Sequence, residues 1–434
     1  SRGGADRGNE GPQFLTAAGL LLNWHPGRIR RLIRDGLRSA GFAGDIPRIE
    51  FVPHHLAHAY STFAVSGFDR AGILTIDGSG ETISTQLAVG DGERVKVVDS
   101  FPIPHSLGWF YAAVTQYLGF IPNRDEGKLM GLAALGEGRS AQNKWIEPLS
   151  RVLKIGARGY EVDPIYTQIG GHNYGDRFTD ALAHLVMAVD SQATPITYGE
   201  KAEKDGVVVS RYLLDQYVDI AWAAQELLER AAVMLAKRLV REHAVENICV
   251  AGGVALNCKM NGEILRQSGA KQIYVQPASN DSGVALGAAL FVSQQTGANI
   301  RHALSHAYYG PEFTNDEVKA ALDGCKLNYT TVDDPSTVAA NLLAEGNIVA
   351  WFQGPMEFGS RALGNRSILA NPALSDMRER VNNDVKYREP WRPFCPSMTE
   401  EVQDEYLRDP GETSFMIVAY EAQETCLREL PAVV

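Results

Sequence analysis

The longest unbroken pattern in the chain is residues 215–243, DQYVDIAWAAQELLERAAVMLAKRLVREH, whose apolar residues recur every third or fourth position. This predicts a long helix with one face in a core. It runs into NICVAGGVALN, a short apolar strand ending in Gly252-Gly253, and then into a second helix at residues 258–268. Helix, buried strand and helix in succession imply an α/β layer. The double glycine, closing at Asn257, places backbone N–H groups at a helix N-terminus, which suits an anion. It is neither the P-loop nor the dinucleotide pattern, because the lysine of the one and the third glycine of the other are missing. A further strand, QIYVQP, leads through a polar turn to the small-residue helix VALGAALFVSQQ, so Asp281 falls at a strand-to-helix corner.

Residues 71–100 read as three consecutive strands joined by Gly-rich hairpin turns. The first turn, Asp77-Gly78-Ser79-Gly80, sets a carboxylate at a strand end and glycines where an anion could approach the backbone. Such a turn alone is a weak signal. Just ahead lies VPHHLAHAY, with His54, His55 and His58 among only ten histidines in the chain. Pro53 suits a first helical turn, and a helix from His54 puts His54 and His58 on one face. Two imidazoles so spaced can meet one cation, and a carboxylate beside them is the usual make-up of a mononuclear transition-metal site. A lone histidine is more often a satisfied core or surface residue; three so close together, followed by Asp77, favour the metal.

With 434 residues, two domains are expected. Acidic residues number 52 against 41 basic, a net charge of −11, which argues against nucleic-acid or anionic-membrane surfaces. The five cysteines form no C-x-x-C pair, which fits unbridged thiols and a cytoplasmic protein. No apolar run approaches a membrane span in length, and no signal peptide opens the chain.

Residues 1–12 are expected to be loose, QFLTAAGLLLNW and GRIRRLIRDGLRSAGF to be helical, and RIEFVP to be a short strand. Residues 106–119 predict an apolar helix. In the following GKLMGLAALG, Lys128 at a helix start opposes the helix dipole, a conflict that a bound anion would resolve. Residues 136–205 read as an irregular insertion carrying Gly170-Gly171. Beyond a linker at 298–315, NIVAWFQGPMEFGSRALGNRSILANP predicts strand, turn, strand. Arg361 and Arg366 flank that turn, and Lys386, Arg388 and Arg392 would share a face of an extended segment, able to converge on a phosphate. A solvated basic rim is the plainer reading.

Taken in order, HHLAH, ILTIDGSGE, GKLMGLAALG, AGGVALNCKMN and PASNDSGVALGAA resemble the carbamoyltransferase family that includes nodulation and antibiotic O-carbamoyltransferases. The resemblance covers nearly the whole chain. It implies that residues 1–297 carry the duplicated actin-like, sugar-kinase-like α/β fold of the universal tRNA-threonylcarbamoyl transferase. Residues 316–434 would then form part of a YrdC-like adenylate-forming domain. It implies metal ligands, typically iron (Fe2+) or a similar divalent ion, at His54, His58, Asp77 and Asp281. The nucleotide loop falls at Gly252, Gly253 and Asn257, and carbamoyl-phosphate and ATP contacts at Arg361, Lys386 and Arg392; the Gly-rich turn at Gly80 and the helix start at Lys128 are further candidate cofactor contacts from the residues themselves. The spacing itself pointed to the two histidines; joining Asp77 to Asp281 comes from the resemblance.

The implied activity is O-carbamoylation of a small-molecule hydroxyl, using carbamoyl phosphate and Mg2+-ATP through a carbamoyl-adenylate. The resemblance leaves room for a homodimer. Rival readings are a sugar-kinase-like ATPase, a threonylcarbamoyl transferase acting on tRNA, and a non-catalytic nucleotide-binding remnant. The family's opening strands and its histidine-containing turn have no match ahead of Val52, and the chain ends before a full second domain would. The expectation is therefore a strand edge near residues 71–77 that is unpaired or covered by the first fifty residues, and a chain that binds metal yet completes little transfer.

Overall fold

The apolar run AGILTI becomes β1 (Arg70–Gly80), the middle strand of a five-stranded sheet, in a computed structural model that describes residues 25–138, 143–168, 176–411 and 414–434. Ahead of it lies α1 (His54–Phe63). After it come β2 (Ile83–Asp91), β3 (Arg94–Pro102), α2 (Leu107–Tyr117) and α3 (Glu126–Ala134). The second run comprises α4 (Asp215–His243), β4 (Asn247–Ala251), α5 (Cys258–Ser268), β5 (Gln272–Val275) and α6 (Val284–Gln295). The strand order is β3-β2-β1-β4-β5.

β1 pairs antiparallel with β2, setting Leu74 opposite Leu87, and parallel with β4, setting Leu74 opposite Val250. The expected open edge at residues 71–77 is therefore wrong. Both sides of β1 are hydrogen-bonded, because β4 arrives from far along the chain to fill the second side, and the sheet's edges are β3 and β5. The β1–β2 register breaks between Ile76 and Gly80, so Asp77, Gly78 and Ser79 leave the ladder at the end of the strand.

Side chains alternate across the sheet. Gly72 faces Leu239 of α4, while the Thr75 hydroxyl lies 2.8 Å from His55 Nδ1 of α1. The two helices thus cover opposite faces. Ile73, Leu74 and Ile76 are fully buried between them, and each stabilises the fold by about 1.5–3 kcal/mol through removal of apolar surface from water. α6 lies along α1, with Phe291 edge-on to Tyr60 at 5.3 Å. The stripe on α4 buries Tyr217, Leu228, Leu235 and Leu239, as its periodicity predicts.

Contacts divide the chain into two compact units, one ending at Phe51 and one starting at Val52. In the first, GRIRRLIRDGLRS forms the helix Pro26–Ser39, while residues 48–51 form no strand, contrary to expectation. Residues 1–24, with QFLTAAGLLLNW, and Gly170-Gly171 lie outside the described residues. In the second unit, the described part of residues 136–205 proves more regular than read. It holds the helices Ile146–Val152 and Asp180–Val189 and a hairpin of Leu153–Ile155 with Tyr160–Val162. Farther on, β6 (Val349–Phe352) and β7 (Arg366–Leu369) pair antiparallel, as expected. The 386–392 segment is not extended. Helical turns run from Met377 through Val385, and tight turns follow. No helix among the described residues is long and apolar enough to cross a membrane.

Candidate functional site

α1 starts at His54 directly after Pro53, and its first turns carry His54 and His58 on the face toward the end of β1. Their Nε2 atoms stand 3.1 Å apart. Asp77 Oδ2 lies 3.2 Å from His54 Nε2 and 3.1 Å from His58 Nε2. The bulge that releases Asp77 from the ladder makes this possible. The Gly78 N–H donates to Asp77 Oδ1 at 2.7 Å, which fixes the carboxylate with Oδ2 toward the imidazoles. Asp281 opens the short turn after β5, and its Oδ1 lies 3.6 Å from both imidazole nitrogens. One ligand atom from each of the four residues falls within 4.8 Å of the others. His58 is fully buried while the Asp281 side chain is 74% exposed, so the cluster is open on one side.

Burial alone would make His58 harder to protonate, but Asp281 and Asp77 outweigh it and raise its pKa. Burial likewise works against ionised Asp77, yet His54, His58 and the Gly78 amide hold its carboxyl far below the ordinary range. Two imidazoles and two carboxylates are a donor set for iron, manganese or zinc. Bonds of about 2.1 Å at right-angle to tetrahedral geometry would separate the ligand atoms by roughly 3.0–3.4 Å, and the four groups approximate that spacing. The residues fit a metal. His55 does not join them. Burial pushes its pKa down to about 4, and its ring nitrogens lie 2.8 Å from the Thr75 hydroxyl and 3.0 Å from the Ile83 carbonyl, so it ties α1 to the sheet.

Glycines make room for this geometry. A Cβ on Gly80 would overlap the His54 ring, so Gly80 lets the histidine pass. Gly252 has φ +98°, a conformation that favours glycine, and a Cβ there would overlap the Ile76 carbonyl. A Cβ on Gly253 would lie 3.1 Å from Asp77 Oδ1, so the double-glycine turn sits directly beside the Asp77 carboxylate. Asn257 is already engaged. Its Oδ1 caps α5 by accepting from the Met260 N–H, and its amide pairs with that of Gln225. Gln225 also accepts from the Tyr111 hydroxyl and donates to Glu229. Burial pushes Glu229 up to about 7. Glu229 lines a groove of about 600 Å³ along α4 and α5 that includes none of the four converging residues.

Lys128, in the first turn of α3, pairs with Asp125 at 3.3 Å and with Glu389 at 2.8 Å. These carboxylates supply the counter-charge that its position demands. Arg361 reaches the Leu256 carbonyl at 3.4 Å beside the double-glycine turn, while its buried Nε has no hydrogen bond among the described residues. Lys386 is hard to keep charged, through burial and then through Arg388 and Arg392. Arg388 is a structural clip. It donates to Asn382 at 2.6 Å and to the Pro393 carbonyl at 3.4 Å, and lies over the Phe394 ring. Arg366 likewise holds backbone, at the Gln353 and Asn365 carbonyls. Sequence reasoning passed over Glu389 and Trp391. The one available signal was an acid set among bases in KYREPWR.

Comparison with known proteins supplies the family. Residues 29–290 match the model of the carbamoyltransferase N-terminus, and residues 340–434 that of the C-terminus. An uncharacterized protein of Synechocystis sp. is 37% identical over 88% of this chain and 60% of its own length. Nodulation protein NolNO of Sinorhizobium fredii is 36% identical over 88% of this chain and 52% of its own. The 3'-hydroxymethylcephem-O-carbamoyltransferase of Streptomyces clavuligerus is 30% identical over 63% of this chain and 44% of its own. The chain spans about half to three-fifths of the length of the first two. Among solved structures, full-length HypF in its phosphate- and nucleotide-bound form is 15% identical over 61% of this chain and 38% of that one, at a TM-score of 0.30, too slight to carry an argument. Both halves of the family pattern, matched in order along one chain, make this protein a member of the carbamoyltransferase family.

Proposed function

We propose that the protein takes part in ATP-dependent O-carbamoylation of a small-molecule hydroxyl, with a metal held by His54, His58, Asp77 and Asp281. The observation that carries this reading is the meeting of these four side chains at one point beside the double-glycine turn. In the proposed sequence, water releases phosphate from carbamoyl phosphate. The resulting carbamate attacks the α-phosphorus of ATP and expels pyrophosphate, giving carbamoyl-adenylate. The acceptor hydroxyl then attacks the carbamoyl carbon and AMP leaves.

This chain's residues have separate tasks in that sequence. Lys386, Arg392 and the unengaged Nε of Arg361 stabilise charge on phosphoryl oxygens, a positioning and electrostatic task. The Gly252 N–H is held by the Ser279 carbonyl at 2.7 Å, and the turn at Gly252 and Gly253 lets the backbone come close to the nucleotide phosphate. Gly80 keeps His54 seated, and Lys128 with Asp125 anchors the start of α3. A bound divalent ion would supply Lewis acidity toward a carbonyl or phosphate oxygen. We assign the metal-bearing part to a duplicated actin-like fold and the C-terminal part to a YrdC-like one, by resemblance, and place the reaction in the cytoplasm. The test is to supply carbamoyl phosphate, Mg2+-ATP and candidate hydroxyl acceptors, following AMP and pyrophosphate. Formation of both, lost in Arg392→Ala, supports the proposal; ATP cleavage to ADP would place the protein with kinases instead.

A further inference from the structure

Glu389 lies between Lys128 and Arg392 of the C-terminal segment. Its Oε1 pairs with Lys128 at 2.8 Å, and both side chains are largely buried, at 13% and 14% exposure. Its Oε2 faces Arg392 Nη1 at 3.9 Å, is buried, and makes no hydrogen bond among the described residues. Arg388 and Arg392 stand near it, and Lys386 stands near those two arginines. Arg388 is pushed down to about 10 by burial and then by Arg392, with Glu389 pulling the other way. Lys386 is shifted down too, by burial and by both arginines. The segment thus carries positive charge in excess, which Glu389 offsets from one side.

An oxygen of Glu389 that faces Arg392 without a hydrogen bond among the described residues has the chemistry of a stand-in for a phosphoryl oxygen. Trp391, two residues on, anchors the segment. The Trp391 ring packs against Tyr212 at 5.0 Å and lies over Gly131 of α3. We infer that Glu389 is a specificity-determining residue: its carboxylate occupies the edge of the anion site as an internal competitor, held on Lys128. An incoming anion must draw Arg392 away from this carboxylate and tolerate its like charge. A phosphate dianion has the charge to do so; a monoanion such as acetate does not. This rests on the proposed binding of carbamoyl phosphate at Lys386 and Arg392.

The inference makes a prediction opposite to that of a merely structural ion pair. In Glu389→Gln the competing charge is gone and Arg392 is left to the anion, while Lys128 keeps Asp125, so carbamoyl phosphate binds about three- to tenfold tighter and acetate binding appears. In Lys128→Met, Glu389 is freed to pair with Arg392, and carbamoyl phosphate binds about three- to tenfold weaker. Calorimetric titration of the whole chain and both variants with carbamoyl phosphate and with acetate reads these shifts. Binding that weakens or stays unchanged in Glu389→Gln overturns the inference while leaving the proposed site intact, since the unmodified chain still binds. Absence of carbamoyl phosphate binding in all three proteins overturns the proposed site, and the inference with it. Should Glu389→Gln fail to fold, Lys128→Met decides, and unchanged or tighter binding there counts against the role.

Discussion

His54 Nε2 and His58 Nε2 stand 3.1 Å apart, one helical turn from each other. Two imidazole nitrogens at that distance cannot both carry a proton without facing it into the other. Asp77 Oδ2 sits beside both, so two nitrogens and an oxygen compete for the same small volume. A shared cation satisfies all three at once. The relationship exists because three local decisions agree: Pro53 starts α1 at His54, the bulge after Ile76 frees Asp77, and Gly80 leaves room for the His54 ring.

Gly80→Ala tests that third decision. The added methyl overlaps the His54 ring, and the ring is the part able to move. The expected outcome is a metal affinity lower by about tenfold or more with the fold retained, because one ligand is turned aside. Metal titration beside circular dichroism checks it. Unchanged affinity would mean that His54 is not a ligand.

Arg361→Ala and Arg392→Ala should each weaken carbamoyl phosphate by about ten- to a hundredfold, the worth of one charge-assisted contact at about 1.5–3 kcal/mol. Binding of nucleotide beside Gly252 and Gly253 should hold. Calorimetry with both ligands separates the two. Equal losses for both would mean that the arginines serve the fold instead.

Stability should fall as pH rises through the range set by Glu229. Burial pushes its carboxyl up to about 7, against 4.5 ordinarily; Gln225 and Lys259 lower it and Glu263 and Glu226 raise it. The folded chain therefore binds more protons than the unfolded one between about pH 4.5 and 7, and stability declines across that window by about 2–3 kcal/mol. Glu229→Gln should remove this decline and be more stable than the parent at pH 8. Urea midpoints at pH 5 and pH 8 measure both slopes, and identical slopes in parent and variant would contradict the prediction.

Much of this architecture could be read locally. The helix 215–243 emerges whole because its stripe is long and free of breakers, and His54 with His58 pair by helical spacing alone. Asp77 and Asp281 could not be joined that way, since their meeting depends on β5 lying two strands from β1 in the finished sheet. The pairing of β1 with β4 was missed for the same reason: parallel neighbours leave no turn between them to read. The pairing of Lys128 with Glu389 could not be read either, because Glu389 comes from far along the chain. The 386–392 segment looked extended because Pro390 and Pro393 discourage helix. In the structure the helical turns persist through Val385 and Arg388 folds back on Asn382, a contact that spacing does not announce.

The central claim is that His54, His58, Asp77 and Asp281 hold one metal ion. Metal content per chain, measured by mass spectrometry on protein purified without chelator, tests it most directly when His58→Ala is compared with His55→Ala. The account predicts one equivalent in the parent and in His55→Ala, whose histidine bonds Thr75 and Ile83 instead. It predicts little or none in His58→Ala, where losing one of four ligands costs about a hundredfold or more in affinity. Undiminished metal in folded His58→Ala would contradict it.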